Sequence, residues 1–232
     1  MIDNILSEVR KSNRSSLNEL EGNRLLSSYG ISMAKTLLAK SADEAVEIAE
    51  EIGYPLVLKV LSPQILHKTE AGCVRVGLAD EDEVRTAYDE ILENAKKYDP
   101  NSKIEGIIVQ EMVPNGLELI FGINKDPQFG HTIVFGLGGI YVEVFEDIAL
   151  RLVPISKDDA YAMISETNVS KILAGARGKE YDIDEVVDIL MKLSKLVQEH
   201  PQIQEVDINP FILYEDGRVG TGVDALITLS EE

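Results

Sequence analysis

Three sets of residues in this chain have the chemistry to work on a phosphoryl group: a lysine inside an apolar strand, a histidine in the loop after it, and an alternating polar run near the C-terminus. Lys59 stands in the apolar stretch Leu56-Val57-Leu58-Lys59-Val60, where a charge is costly unless an anion meets it. A nucleotide phosphate would satisfy it and so would a core carboxylate; spacing leaves both open. His67 follows in the loop SPQILHKTEAG, between Leu66 and Lys68. Imidazole is a competent nucleophile toward phosphorus near neutral pH, because a substantial neutral fraction exists there. A lone loop histidine is more often a polar surface group. Of the other two histidines, His131 opens a strand and reads as structural, and His200 follows a helix ahead of Pro201 and reads as a surface group.

The polar run permits a geometric reading. In Glu205-Val206-Asp207-Ile208-Asn209 polar and apolar residues alternate, which is the period of a half-buried strand. Glu205, Asp207 and Asn209 then share one face, and Val206 and Ile208 face the core. Asp216-Gly217 is a strong signal for a two-residue hairpin turn. Counting back from that turn along both strands sets Asn209 opposite Asp224, on the same face. Directly opposed residues have Cβ atoms roughly 5 Å apart, so both oxygens can reach one ion. An amide oxygen, a carboxylate and phosphate oxygens suit Mg²⁺. Pro210 lacks a ladder donor and can mark a bulge that shifts the register. The competing reading is a solvated polar face on an edge hairpin.

Between these two sets lies Gln110-Glu111-Met112-Val113, an extended stretch ended by Pro114. Backbone N–H and C=O groups there can read an adenine edge, and Glu118 shortly after can accept ribose hydroxyls. An ordinary strand end and an ordinary strand glutamate fit the same letters. Gly136-Leu137-Gly138-Gly139 is followed by a strand pattern, so it is not a dinucleotide fingerprint. It lets the backbone approach a phosphate or a partner's loop closely, or makes a plain tight turn.

The elements that must position these residues follow from periodicity. A helix is expected from Ser16, with a Ser16–Glu19 capping box, ending before Gly30. A strand at 33–39 leads to a helix opened by Ser41 and Glu44 and stopped by Gly53. The lysine strand, a strand at 73–78, a helix over 82–97 and a strand at 106–113 complete a first lobe. Strands at 117–123, 131–135, 140–145 and 149–153, a helical stretch at 157–165, a helix over 183–199 and the hairpin 204–214/219–229 make a second. The expected fold class is α+β, with two α+β lobes and the ligand in the cleft between them. Residues 1–29 would pack on the larger lobe (112–232), and 30–111 would form the smaller one.

Composition narrows the function. With 232 residues, 44% of them hydrophobic, the chain can bury a real core. Its net charge of −19 repels polyanions, which argues against a nucleic-acid partner. It also means that a nucleotide can be held only where a few cations, backbone N–H groups and a metal reverse the field locally. No apolar run approaches the roughly 20 residues that span a bilayer, no secretory signal is visible, and Cys73 is the single cysteine, so a cytoplasmic protein away from membranes is expected.

Together, PLVLKVLSPQILHKTEAG, VQEMVPNGLELIFGINKDPQFGHTIVFGLGGIYVEVFEDIALRLVPI and EVDINPFILYEDG resemble the β subunit of ADP-forming acetyl-CoA synthetases, ATP-grasp relatives of succinyl-CoA synthetase. The likeness runs from about residue 17 to 229, and the FGLGGIYVEVFED and ILHKTEAG segments carry most of its specificity. It implies an ATP-grasp fold and the activity of an acetate–CoA ligase (ADP-forming). Lys59 would contact nucleotide phosphates, Gln110 and the hinge Glu111, Met112 and Val113 would hold adenine, and Glu118 the ribose. Asn209 and Asp224 match the Mg²⁺ ligands, Asp207 an acidic residue that steadies a phosphohistidine, and His67 the family's second phosphohistidine. One departure is Gly72-Cys73, where relatives often carry two glycines.

The implied cofactors are Mg²⁺ and ADP or ATP. The implied partner is a separate α subunit bearing the CoA-binding half, in an α2β2 heterotetramer. Two other functions fit parts of the same pattern: a self-contained carboxylate–amine ligase, which needs neither a histidine nucleophile nor a partner, and a non-catalytic nucleotide sensor, which needs no transfer apparatus.

Overall fold

The computed structural model describes residues 2–65, 67–139, 147–175, 178, 180–215 and 217–230. The chain divides into two compact units, one formed by Met1–Met33 with Asn115–Glu232 and the other by Ala34–Pro114. Among the described residues no helix is long and apolar enough to cross a membrane.

The smaller unit is a four-stranded antiparallel sheet backed by two helices. Its elements are β1 (Thr36–Ala39), α3 (Ala42–Ile52), β2 (Leu56–Leu61), β3 (Val74–Leu78), α4 (Glu81–Tyr98) and β4 (Gly106–Glu111), with strand order β1-β4-β2-β3. Ser41 caps α3 by accepting the Glu44 N–H, and Gly53 ends it, as the sequence leads one to expect. Leu56, Leu58, Val60, Ile107 and Val109 pack with Ala45, Ala49, Val84, Tyr88 and Ile91 from the helices. Strand alternation therefore turns Val57, Lys59, Ile108 and Gln110 to the opposite face, since Val57 pairs with Gln110 and Lys59 with Ile108.

The larger unit begins with α1 (Ile2–Lys11) and α2 (Glu19–Ser28). The N-terminal helix α1 is not among the expected elements, although Leu6 and Val9 bury one side of it. The expected Ser16–Glu19 capping box is displaced by two residues. Asn18 is the cap of α2, accepting the Glu21 N–H, while Glu21 accepts the Asn18 N–H. Ser16 instead bridges to Thr228 on the sheet, and that pairing, set by tertiary contact, outranks the local box.

After the smaller unit come β5 (Leu117–Asp126), β6 (Gly130–Leu137), β7 (Ile148–Leu152), α5 (Lys157–Glu166), α6 (Val169–Leu173), α7 (Ile183–Glu199), β8 (Ile203–Leu213), β9 (Thr221–Gly222) and β10 (Ala225–Leu229). The short helix α6 adds to the expected set, and the strand expected at 140–145 lies outside the described residues. The sheet order is β10-β8-β5-β6-β7, with β9 also paired to β8, all antiparallel. Its core face is anchored by Phe121, whose ring centroid lies 5.4 Å from those of Phe135 and Phe211. Against it α7 buries Val186, Leu190, Leu193 and Leu196. Each such side chain contributes about 1.5–3 kcal/mol relative to exposure, so this face fixes the sheet firmly.

Candidate functional site

In the larger unit the site is a consequence of strand register. Val206 and Ile208 are buried in the core, so Glu205, Asp207 and Asn209 stand on the other face. Ile208 pairs with Ala225, and beyond the gap Phe211 pairs with Gly222 and Ile212 with Thr221, all at one offset. Asn209 therefore lies opposite Asp224, as counted from the turn, and its N–H reaches the Asp224 carbonyl at 3.3 Å. Asp216 of that turn lies outside the described residues.

Pro210 does mark a bulge, but against the other neighbour of β8. On the β5 side Leu119 pairs with Phe211 and Phe121 with Ile208, so Ile120 alone faces both Asn209 and Pro210. The extra residue resets the alternation. Ile208 and Phe211 can both enter the core while Asn209 stays on the polar face. The Pro210 carbonyl still accepts the Val223 N–H at 2.9 Å, so the ladder to the strand that carries Asp224 is kept.

Three carboxylates share this face. Burial, then the nearby Glu205 and Asp224 charges, push the Asp207 carboxyl up to about 6. Its Oδ1 is shielded from solvent and has no hydrogen-bond partner among the described residues. A buried oxygen left in this way is costly unless a donor or cation arrives. Asp224 Oδ1 accepts its neighbour Ala225 N–H at 3.0 Å. Among the described residues no three His, Cys, Asp or Glu side chains form a self-sufficient metal cage. Asn209 and Asp224 instead offer two oxygen donors, and the orphaned Asp207 oxygen beside them marks a place where positive charge is wanted. That donor set fits Mg²⁺, which keeps several waters and takes further oxygens from phosphate.

Glu118 joins the same face from β5. The Gly138 N–H donates to the Glu118 carbonyl at 2.9 Å, and the Gly139 N–H donates to Asn209 Oδ1 at 3.0 Å. Gly139 has φ +62°, and a Cβ on it would run into the Glu118 carboxylate. Sequence reasoning left the role of these glycines open between a phosphate approach, a loop approach and a turn. Here they approach Glu118 and Asn209.

The smaller unit holds the remaining expected residues. Lys59 is 9% exposed and Gln110 1%, both on the sheet face turned away from α3 and α4. The Gln110 amide donates to Thr36 Oγ1 at 3.3 Å across the β1–β4 pair. In the expected hinge, the Glu111 N–H donates to the Lys35 carbonyl at 3.0 Å and the Met112 N–H to the Pro55 carbonyl at 3.3 Å. Those two groups are committed to the fold. Among the described residues the Val113 N–H has no such partner.

His67 is exposed, on a loop that is tightly built. Its carbonyl accepts the Ala71 N–H at 3.0 Å, the Thr69 carbonyl accepts the Gly72 N–H at 3.0 Å, and the Lys68 carbonyl accepts the Cys73 N–H at 2.8 Å. Asn94 from α4 and Arg75 from β3 both donate to the Gly72 carbonyl, each at 2.9 Å. Cys73 is fully buried, with Sγ 3.4 Å from the Ala71 carbonyl oxygen, and burial pushes its thiol up. It adds a core anchor to the loop and leaves Gly72 in its left-handed conformation, φ +65°.

The other histidines are structural. His131 Nε2 lies 2.7 Å from the Ile203 carbonyl oxygen. His200 is not the surface group expected: its side chain is only 12% exposed, packed edge-on to Tyr29 at the end of α2, with Nδ1 3.9 Å from Asp3.

The structure thus gathers Glu118, Asp207, Asn209 and Asp224 in one unit, and Lys59 with Gln110, the hinge and the His67 loop in the other. Comparison with known proteins bears on this arrangement. The model of the ATP-grasp domain matches residues 8–229. The β subunit of acetate–CoA ligase [ADP-forming] II from Pyrococcus furiosus is 45% identical over 97% of this chain and 96% of its own length. An acetyl-coenzyme A synthetase of Ca. Korarchaeum cryptofilum, solved with coenzyme A and Ca-AMPCP, superposes with a TM-score of 0.93 at 46% identity, covering 99% of this chain and 100% of that one. The same synthetase solved with coenzyme A and Mg-AMPPCP, its phosphohistidine segment pointing towards the nucleotide binding site, gives 0.88 at 42% identity over 99% and 100%. On matches of this extent, the chain belongs to the ATP-grasp family, with the β subunits of ADP-forming acetate–CoA ligases.

Proposed function

We propose that this chain is the nucleotide-binding subunit of an ADP-forming acyl-CoA synthetase, catalysing acyl-CoA + ADP + Pi ⇌ carboxylate + CoA + ATP together with a separate α subunit. The observation that carries the proposal is the opposition of Asn209 and Asp224 beside the unpartnered, buried oxygen of Asp207. An acidic protein has little reason to assemble this face except to receive a cation and, through it, a phosphate.

In this reading the α subunit cleaves the acyl-CoA with phosphate and carries the phosphoryl group on its own histidine. Asp207 accepts the ring N–H of that phosphohistidine and balances its positive charge. His67 takes the phosphoryl group: a new N–P bond forms at its imidazole as the bond to the incoming histidine breaks. A β-phosphate oxygen of ADP then attacks, the His67 N–P bond breaks, and ATP forms. Lys59 neutralises phosphate charge, Glu118 accepts hydroxyl donors of the ribose, Gln110 lines the base, and the Val113 N–H meets the adenine edge at the hinge Glu111–Met112–Val113. Asn209 and Asp224 would hold Mg²⁺, which when bound supplies charge neutralisation at the transferred phosphoryl group. Phosphoryl transfer needs little beyond positioning and charge neutralisation, so this short residue set suffices. The Korarchaeum synthetase, with Mg-AMPPCP and a phosphohistidine segment, supports the relay. The subunit naming of the Pyrococcus relative supports the partner. We place the working enzyme in the cytoplasm as an α2β2 heterotetramer.

The test is phosphorylation of the reconstituted enzyme with γ-labelled ATP and Mg²⁺. Acid-labile, base-stable label on this subunit is expected to vanish in His67→Ala, with ATP formation falling roughly 10³-fold or more. Full turnover by His67→Ala with the partner present would end the relay reading. Amide formation by this chain unaided would favour the carboxylate–amine ligase.

A further inference from the structure

Gly139 makes two contacts that no single role in the proposed reaction accounts for. Its N–H donates to Asn209 Oδ1 at 3.0 Å, and its α-carbon lies so near Glu118 that a methyl group there would overlap the carboxylate. Asn209 comes from β8 and Glu118 from β5, and the pairing of these strands is interrupted by the bulge between the two residues. Strand pairing resumes on either side of it, with Glu118 opposite Ile212 and Phe121 opposite Ile208, but it does not set these two side chains against each other; Gly139 touches both.

We propose that Gly139 is a positioning residue that couples the metal-ligand amide to the sugar-reading carboxylate. This rests on the roles assigned above to Asn209 and Glu118. An amide oxygen has two lone pairs. With one committed to the Gly139 N–H, the Asn209 side chain is held in one orientation and the second lone pair is turned to the cation. Because an amide has distinct O and N ends, this bond also selects which end faces the metal. The absence of a side chain at 139 lets Glu118 approach the same peptide, so that displacement of either partner moves the other. A residue with a side chain would be strained at φ +62° and would push Glu118 away.

The experiment is calorimetric titration of the whole chain with ADP, with and without Mg²⁺, which reads the gain in affinity that the metal confers without using turnover. A hydrogen-bonding partner of a metal ligand is typically worth 10–100-fold in metal affinity; alanine keeps the N–H but its Cβ displaces the residue-139 peptide from Asn209, so Gly139→Ala is expected to lose up to that factor of the Mg²⁺-dependent gain. It should also weaken ADP binding in the absence of metal, through Glu118. In Gly139→Ala with Glu118→Ala the overlap is gone. Only the backbone strain at φ +62° then remains, so about threefold or more of the lost Mg²⁺ gain should return while metal-free ADP binding stays weak. A structural defect would not separate the two readouts in this way, and thermal unfolding of each variant checks that it is folded.

Parent-like binding by Gly139→Ala under both conditions, or a double variant that recovers none of the lost Mg²⁺ gain, would overturn the coupling. If Glu118→Ala and Asn209→Ala singly leave ADP and Mg²⁺ binding unchanged, the site assignment itself fails and the coupling with it. If those two single variants are impaired while Gly139→Ala is not, the site stands and only the coupling is lost.

Discussion

The two units place polar groups inside apolar sheets by opposite means. In the larger one, Asp207, Asn209 and Asp224 owe their positions to strand pairing, held by a core in which Phe121, Phe135 and Phe211 interlock. In the smaller one, Lys59 sits on a strand, but the residue expected to react, His67, hangs on a loop gripped through the Gly72 carbonyl by Asn94 and Arg75. A ladder specifies distances across it to a fraction of an ångström, which suits metal ligands that must converge. A loop side chain is free to meet a group that arrives and departs. The division of labour expected from this contrast is a fixed electrostatic shelf in one unit and an accessible nucleophile in the other.

The sharpest way to break that contrast is Asp224→Ala. ATP formation should fall about 10³-fold, as expected for loss of a cation that stabilises transferred charge. His67 should still acquire label from labelled phosphate, acyl-CoA and the α subunit, because the loop does not depend on Asp224. If the label disappears as well, the two regions are not separable in this sense. Next in size is Phe121→Ala, which should cost about 3 kcal/mol or more of unfolding free energy by leaving a cavity in the larger unit's core. Hydrogen exchange should localise the loosening to β5, β6 and β8 and leave the 67–73 loop as protected as before.

The smallest effect is electrostatic. Asp207 titrates at about 6 in the folded chain against an ordinary 3.8, so its folded form favours the proton. The associated stability is complete below about pH 3.8, declines as pH rises through 6, and is gone above it. Asp207→Asn cannot titrate. Without metal or nucleotide it should therefore gain on the parent between pH 4 and 7, by about 1–2 kcal/mol after allowing for the solvent contact Asp207 retains. Denaturant unfolding at several pH values measures this, and a pH-independent difference would show that the carboxylate is not burdened by its neighbours.

The alternation of Glu205 to Asn209 and the turn signal at Asp216-Gly217 were enough to set Asn209 against Asp224, because strand period and hairpin counting are local rules. The lysine strand, the Ser41 cap and the Gly53 stop were legible for the same reason. The bulge at Pro210 was legible as a possibility, but not which neighbouring strand would absorb it. That depended on whether Ile208 and Phe211 could both reach a core assembled from distant segments.

What the tertiary structure alone decided was always a matter of long-range competition. Ser16 lost its capping role to Asn18 because the sheet claimed it through Thr228. His200 became a packed group because Tyr29 at the end of α2 lies against it, and Cys73 became a core anchor because α4 lies over it. Gly139 meets Asn209 and Glu118, which are separated from it by many residues in sequence, only once three strands are side by side. Periodicity encodes which face a side chain takes, since that is a property of one element. Which atoms then meet is set by the packing of several elements at once, and no local pattern carries it.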